Sequence, residues 1–240
     1  MSARFRVSRS ARGEVRSRRD DFDVELEPGA TVLDALLQIR LRHDPSLVVR
    51  HSCMHASCGT CGVRVNGREV LACDTKVAKL PAGRPIEVEP LANQRLVADL
   101  ATDMVDFYAR YEAVGMPLVR AAGVDAGIEL PDGVKAFGRF ENCIECGLCL
   151  SACPVARTSG EFIGPAALAA AARVVAEPRD RELGSVLALA AEPDSVWRCR
   201  DAMACTAVCP SAVDPAKALS TLRRHVAANG LKRLFGRGAR

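Results

Sequence analysis

The 240-residue sequence predicts an α+β chain in two parts, a sheet-rich domain over residues 1–95 and an all-helical domain over 96–240. Three observations predict it. Up to about residue 92, apolar residues alternate with polar ones in short runs, as half-buried strands do. Beyond Pro90, strand signals nearly vanish and alanine-rich segments with helical spacing take over. Finally, the 11 cysteines fall in three tight groups, one in the first part and two in the second.

Taken in order, Phe5 and Val7 alternate with Arg4, Arg6 and Ser8, and Phe22, Val24 and Leu26 alternate with Asp23 and Glu25, predicting two strands. Pro28-Gly29 turns the chain into a helix. Thr31 and Asp34 have the spacing of a capping box, Val32, Leu33, Leu36, Leu37 and Leu41 share one helical face, and Pro45 ends the run. Gly62–Val65, the primed-turn pair Asn66-Gly67 and Val70–Ala72 read as a hairpin, and Ile86 with Val88 as the last strand. A mixed sheet gripping a single helix is the β-grasp arrangement. Further on, Leu96–Tyr111 has helical spacing, Gly164-Pro165 opens an alanine-rich helix with proline where its missing N–H costs nothing, and residues 183–191 and 214–229 read as two more helices.

Composition narrows the function. Hydrophobic residues make up 49% and charged residues 26%, the balance of a folded soluble protein, and a net charge of +4 is too mild to imply nucleic acid. The apolar run Pro165–Ala172 stops at Arg173, short of the roughly 18 apolar residues of a membrane span. Arg4, Arg6 and Arg9 lack an apolar segment behind them, and Asp20, Asp21 and Asp23 follow Arg18-Arg19 where a twin-arginine signal would be apolar. The expectation is a chain made and kept in the cytoplasm, where 11 thiols, an odd number, are a poor disulfide framework.

The cysteine spacing carries the chemistry. Cys53, Cys58, Cys61 and Cys73 have the C-x4-C-x2-C-x11-C spacing of a plant-type [2Fe–2S] site, with small residues in Ala56–Gly62 that let a loop wrap two irons. Zinc held by four thiolates is the alternative. The run Cys143, Cys146, Cys149, Cys153-Pro154 overlays Cys199, Ala202, Cys205, Cys209-Pro210 at identical spacing, and this internal repeat is similar to a duplicated helical ferredoxin. In two-cluster ferredoxins the fourth cysteine serves the other cluster. That crossing assigns Cys143, Cys146, Cys149 and Cys209 to [4Fe–4S] and leaves Cys153, Cys199 and Cys205 for [3Fe–4S], since Ala202 cannot bind metal. All 11 cysteines are then used and none remains for a catalytic thiol. Arg50, Arg198 and Arg200 are candidates for offsetting the negative charge of the clusters.

With the groups in this order the chain resembles the iron–sulfur subunits of the succinate:quinone oxidoreductase and quinol:fumarate reductase family. The resemblance spans about residues 3–230 and is carried by Arg50-His51-Ser52-Cys53, Cys58–Gly62, Cys143–Cys149, Glu161–Ala166 and Cys205–Pro210. It implies an enzyme subunit in respiratory electron transport whose own job is a relay. Single electrons pass between the FAD of a flavoprotein partner and a membrane quinone, and the substrate chemistry lies in that partner. It further implies one or more membrane-anchor subunits, with haem left open, and a peripheral place on the cytoplasmic membrane face. The quinone end departs from many succinate dehydrogenases: Arg157-Thr158 stands where they carry tryptophan, and Arg200 where they carry histidine. Pro154, Arg200 and Arg223 are the expected quinone-proximal residues, and menaquinone the favoured quinone.

Other candidates have plainer readings. His51 and His55 flank Cys53, but four cysteines at plant-type spacing leave no Rieske pattern. Asp103, Asp106 and Glu112 read as a solvated helix face. Lys232, Arg233, Arg237 and Arg240 form a basic tail suited to lipid headgroups or to solvent.

Overall fold

A computed structural model describes residues 1–11, 18–116, 138–176 and 183–235. The chain forms two compact units, Met1–Met104 with Ile144–Ala152, and Val105–Cys143 with Cys153–Arg240.

In the first unit, strands β1 (Ser2–Arg9), β2 (Arg18–Glu25), β3 (Gly62–Val65), β4 (Arg68–Leu71) and β5 (Ile86–Glu89) make a five-stranded sheet in the order β2-β1-β5-β3-β4. Only β1 and β5 run parallel; the remaining pairs are antiparallel. The alternation works as expected: Phe5, Val7, Val24, Val63, Val65, Ile86 and Val88 are buried. The opposite face of β1 carries Arg4 and Arg6 directly across from Asp23 and Asp21, each arginine bidentate to its partner. The N-terminal arginines thus serve as cross-strand pairs.

Helix α1 (Val32–Arg42) begins with both halves of the Thr31–Asp34 capping box formed. It buries Val32, Leu33, Ala35, Leu36 and Ile39, worth about 1.5–3 kcal/mol for each large side chain. Leu41 was expected on this face but is 79% exposed, because Ile39 takes the inward position in the last turn.

The expected helix over Leu96–Tyr111 is in its first half a small ladder. Strands β6 (Leu96–Ala98) and β7 (Ala101–Thr102) pair through a turn at Asp99, whose φ of +44° no helix admits. The buried Asp99 side chain fixes that turn, accepting from Arg9 Nε at 3.1 Å, Ser10 N at 2.9 Å and Val48 N at 2.8 Å. Tertiary hydrogen bonds override a short periodic signal here. Ile86–Glu89 is therefore the last strand of the main sheet but not of the chain.

The second unit is helical: α2 (Val105–Ala113), a 3₁₀ turn (Gly138–Asn142), α4 (Pro154–Thr158), α5 (Pro165–Ala176), α6 (Leu183–Ala190), α7 (Ala204–Ala207) and α8 (Pro215–Phe235); α3 (Leu148–Ala152) belongs to the first unit. Helix α5 is apolar all round and buried from Pro165 to Val174, the pattern of a central helix. It packs against α2, α6, α8 and the 3₁₀ turn, and its alanines allow those neighbours to come close. Arg173 does not end it. The side chain is buried and pairs with Glu141 at 2.8 Å. Among the described residues no helix is long and apolar enough to cross a membrane. Arg237 and Arg240 of the basic tail lie outside the described residues.

Candidate metal centres

The loop after Arg50 is held at its base, with Val48 N–H on Asp99 and Arg50 Nη1 on the Thr102 carbonyl at 3.1 Å. Beyond it, Met54 (φ +64°), Ala56 (φ +62°) and Gly59 (φ +69°) take the left-handed conformation. Interspersing such residues turns successive N–H groups to one side, making an anion-receptive concavity. Here they converge on sulfur. Cys53 Sγ accepts from the backbone of His55 (3.5 Å), Ser57 (3.3 Å) and Cys58 (3.3 Å); Cys73 Sγ accepts from Ala56 N at 3.2 Å, and Cys58 Sγ from Cys53 N at 3.5 Å. Cys61 and Cys73 approach from the end of the β3–β4 hairpin, where Ala72 N–H meets the Cys61 carbonyl at 3.1 Å.

The thiol acidities follow. Backbone N–H groups, that of His55 foremost, lower the Cys53 thiol to about 6. Burial pushes Cys61 up to about 12 and Cys205 up to about 11, and raises Cys199 as well. Buried thiols of this kind ionise when a metal cation binds them. The N–H concavity around Cys53 Sγ suits the negative charge of a thiolate-ligated iron–sulfur centre.

Of the second cysteine group, Cys146 and Cys149 fall in the first unit and Cys143 and Cys153 in the second. Ile144–Ala152, with Cys146 and Cys149, packs in the first, where Asn93 Nδ2 donates to the Leu150 carbonyl at 2.8 Å. Ser151 Oγ, fully buried, donates to Glu69 at 2.9 Å and accepts from Ala92 N at 2.8 Å. In the second unit, the 3₁₀ turn delivers Cys143, whose N–H meets the Phe140 carbonyl at 2.8 Å and whose Sγ lies 3.4 Å from the Tyr111 hydroxyl. Cys209 is also there, its sulfur accepting from Val213 N at 3.4 Å.

The third set does come together. Cys153, Pro154, Cys199, Arg200, Ala202 and Cys205 line one concavity of the second unit. Arg223 turns its guanidinium to the carbonyls of Val196 (3.1 Å) and Cys199 (3.0 Å) and to Asp201 (2.9 Å). Arg198 pairs with Asp194 at 2.6 Å.

The internal repeat is visible in the backbone. Glu145 (φ +53°) and Gly147 (φ +75°) correspond by offset to Asp201 (φ +52°) and Met203 (φ +58°), and each pair precedes a short helix, Leu148–Ala152 or Ala204–Ala207. Ala202 thus takes the structural place of Cys146. His51 and His55 are exposed, as are Asp106 and Glu112, while Asp103 pairs with Arg95.

Such cysteine-bearing loops, on a β-grasp sheet and on a helical unit, define a two-domain iron–sulfur protein. Residues 4–109 match the 2Fe-2S iron-sulfur cluster binding domain and residues 139–213 the 4Fe-4S dicluster domain. The chain is 36% identical over 218 residues to the fumarate reductase iron-sulfur subunit of Mycobacterium tuberculosis, covering 89% of this chain and 88% of that one. To its counterpart in Escherichia coli O6:H1 it is 36% identical over 201 residues, 82% of each chain. The fold matches a chain of the Mycobacterium smegmatis Sdh1 complex in the apo form with a TM-score of 0.85 and 27% identity, covering 95% of this chain and 96% of that one. The chain belongs to the family of fumarate reductase and succinate dehydrogenase iron–sulfur subunits.

Sequence reasoning missed the roles of Tyr111 and Asp99, and saw Gly59 only as a small residue within a cysteine loop.

Proposed function

We propose that the chain is the electron-transfer subunit of a succinate:quinone oxidoreductase or quinol:fumarate reductase, carrying single electrons between the FAD of a flavoprotein subunit and a membrane quinone, menaquinone being favoured. Residues 1–95 hold [2Fe–2S] through Cys53, Cys58, Cys61 and Cys73. Residues 96–240 hold [4Fe–4S] through Cys143, Cys146, Cys149 and Cys209, and [3Fe–4S] through Cys153, Cys199 and Cys205. When bound, such clusters supply one-electron chemistry that no side chain offers.

The chain's residues bind and tune. The N–H groups of Cys53 and of His55–Cys58 stabilise thiolate charge, Glu69 and Ser151 fix the segment bearing Cys146 and Cys149, and Arg223 holds the turn bearing Cys199. The observation that carries the reading is the convergence of Cys153, Cys199 and Cys205 on one concavity with Ala202 in its wall. An alanine there withholds one thiolate, as a three-iron centre requires. Pro154 and Arg200 line the same concavity and are proposed, with Arg223, as the quinone-proximal residues. The subunit is placed peripherally on the cytoplasmic membrane face, bound to the flavoprotein and to apolar anchor subunits.

Purification of the native complex from membranes tests this. The chain is expected to bring with it an FAD-containing subunit and an apolar subunit, and succinate or menaquinol is expected to reduce its oxidised [3Fe–4S] EPR signal. Recovery with a soluble partner alone, and no reduction by either donor, would overturn the assignment.

A further inference from the structure

Tyr111 lies in the last turn of α2 and is 4% exposed. Its ring is stacked between Phe107 (centroids 5.6 Å apart, planes at 20°) and Phe140 (6.4 Å, 26°). Phe140 belongs to the 3₁₀ turn that delivers Cys143, and its carbonyl accepts the Cys143 N–H at 2.8 Å. One turn therefore clamps the tyrosine ring and positions the thiol. The phenol oxygen sits 3.4 Å from Cys143 Sγ, within range for an O–H donating to sulfur. Phenylalanine would fill the stack as well, and its neighbours on both sides are phenylalanines. The hydroxyl is the feature that stacking leaves unexplained, since burying it costs desolvation unless it finds an acceptor.

We propose that Tyr111 is a positioning residue that acts through Cys143, its hydroxyl donating to the ligating thiolate and raising the reduction potential of the [4Fe–4S] centre. The inference rests on the reading of Cys143 as a ligand of that centre. Reduction adds one electron to the centre, taken from the reduced [2Fe–2S] neighbour in the relay or from dithionite in a titration, and the donor is oxidised by one electron. The proton stays on the phenol oxygen. Added negative charge on the thiolate sulfur strengthens its attraction to the O–H dipole, so the bond favours the reduced state. A favourable potential at this step keeps the middle of the relay within reach of electrons from the flavin side.

The test is an EPR-monitored redox titration of the purified complex carrying Tyr111→Phe, beside the parent complex. The ring stack is retained and only the hydroxyl is lost. The expected result is full iron content, all three cluster signals present, and a four-iron midpoint potential lowered by up to roughly tenfold in the equilibrium constant, about 59 mV for a one-electron couple. The other two potentials should not move. Hyperfine spectra of the reduced four-iron signal in D2O are expected to lose one exchangeable deuteron coupling in the variant. An unchanged potential with full occupancy would overturn the inference. So would loss of the four-iron centre in the variant, which would make the phenol a requirement for assembly rather than for tuning. Absence of a four-iron signal from the parent complex would instead overturn the functional reading beneath it.

Discussion

Gly59 leaves no room for a side chain beside Cys146: a methyl group at Gly59 would stand 2.7 Å from Cys146 Cβ and 2.7 Å from the Ile144 carbonyl oxygen. The loop bearing three cysteines of the first group thus lies directly against the segment bearing two of the second. No larger residue fits there, and the φ of +69° disfavours any side chain besides.

Gly59→Ala should therefore cost about 2 kcal/mol through overpacking, beyond the cost of the left-handed backbone. Gly29→Ala is the control. Its φ is +85° and nothing lies within 4 Å of the added methyl, so only the backbone cost of roughly 1 kcal/mol remains. Thermal melts of both variants should show a clearly larger fall in Tm for Gly59→Ala, and equal falls would show that the two segments are not pressed together.

Arg223 spans two carbonyls and a carboxylate around the turn bearing Cys199. Arg223→Ala should loosen that turn by about 2 kcal/mol, as expected for hydrogen bonds made by a charged donor, and reduce the amplitude of the three-iron signal. Arg223→Lys should not restore it, because a point charge cannot bridge three acceptors. A full three-iron signal with only quinone reduction impaired would assign this side chain to the quinone and not to the turn.

The coincidence of left-handed residues in the two repeats sets Ala202 where Cys146 stands in the other. Ala202→Cys should therefore admit a fourth iron, replacing the oxidised three-iron EPR signal by one seen only on reduction. Persistence of the three-iron signal after anaerobic reconstitution with iron and sulfide would contradict the alignment.

Asp44 accepts from the Ser46 hydroxyl at 2.6 Å and also pairs with the buried Arg9. Those contacts, the Ser46 hydroxyl first, hold its carboxyl well below the usual carboxylate range. Its folded pKa is thus below the unfolded value of about 3.9, so the stabilisation is complete at neutral pH and is lost as pH falls below about 4. In thermal melts, the gap in Tm between the parent protein and Asp44→Asn should be constant near neutrality and narrow in acid. A gap that widens in acid would reverse the assigned sign.

Much of this architecture was legible in the residues. Alternation at Phe5 and Val7, the Thr31–Asp34 cap and the Asn66-Gly67 turn are local signals, and local interactions decide those elements. The ladder at Leu96–Thr102 was not, because Arg9, some 90 residues earlier in the chain, fixes the Asp99 turn. Leu41 misled because helical spacing identifies a face but not where neighbouring elements stop covering it. The cysteine groups announced cluster chemistry through spacing alone. The Tyr111 hydroxyl did not, since a tyrosine at an apolar helical position looks like core until its oxygen is located beside Cys143.

Iron and acid-labile sulfide analysis of the anaerobically purified complex, with low-temperature EPR on the same sample, decides whether this chain carries three iron–sulfur centres. About nine iron atoms are expected in this subunit, the content of one two-iron, one four-iron and one three-iron centre. A two-iron signal on reduction and a three-iron signal on oxidation are expected with them. Zinc in place of iron, or iron without acid-labile sulfide, would contradict that assignment.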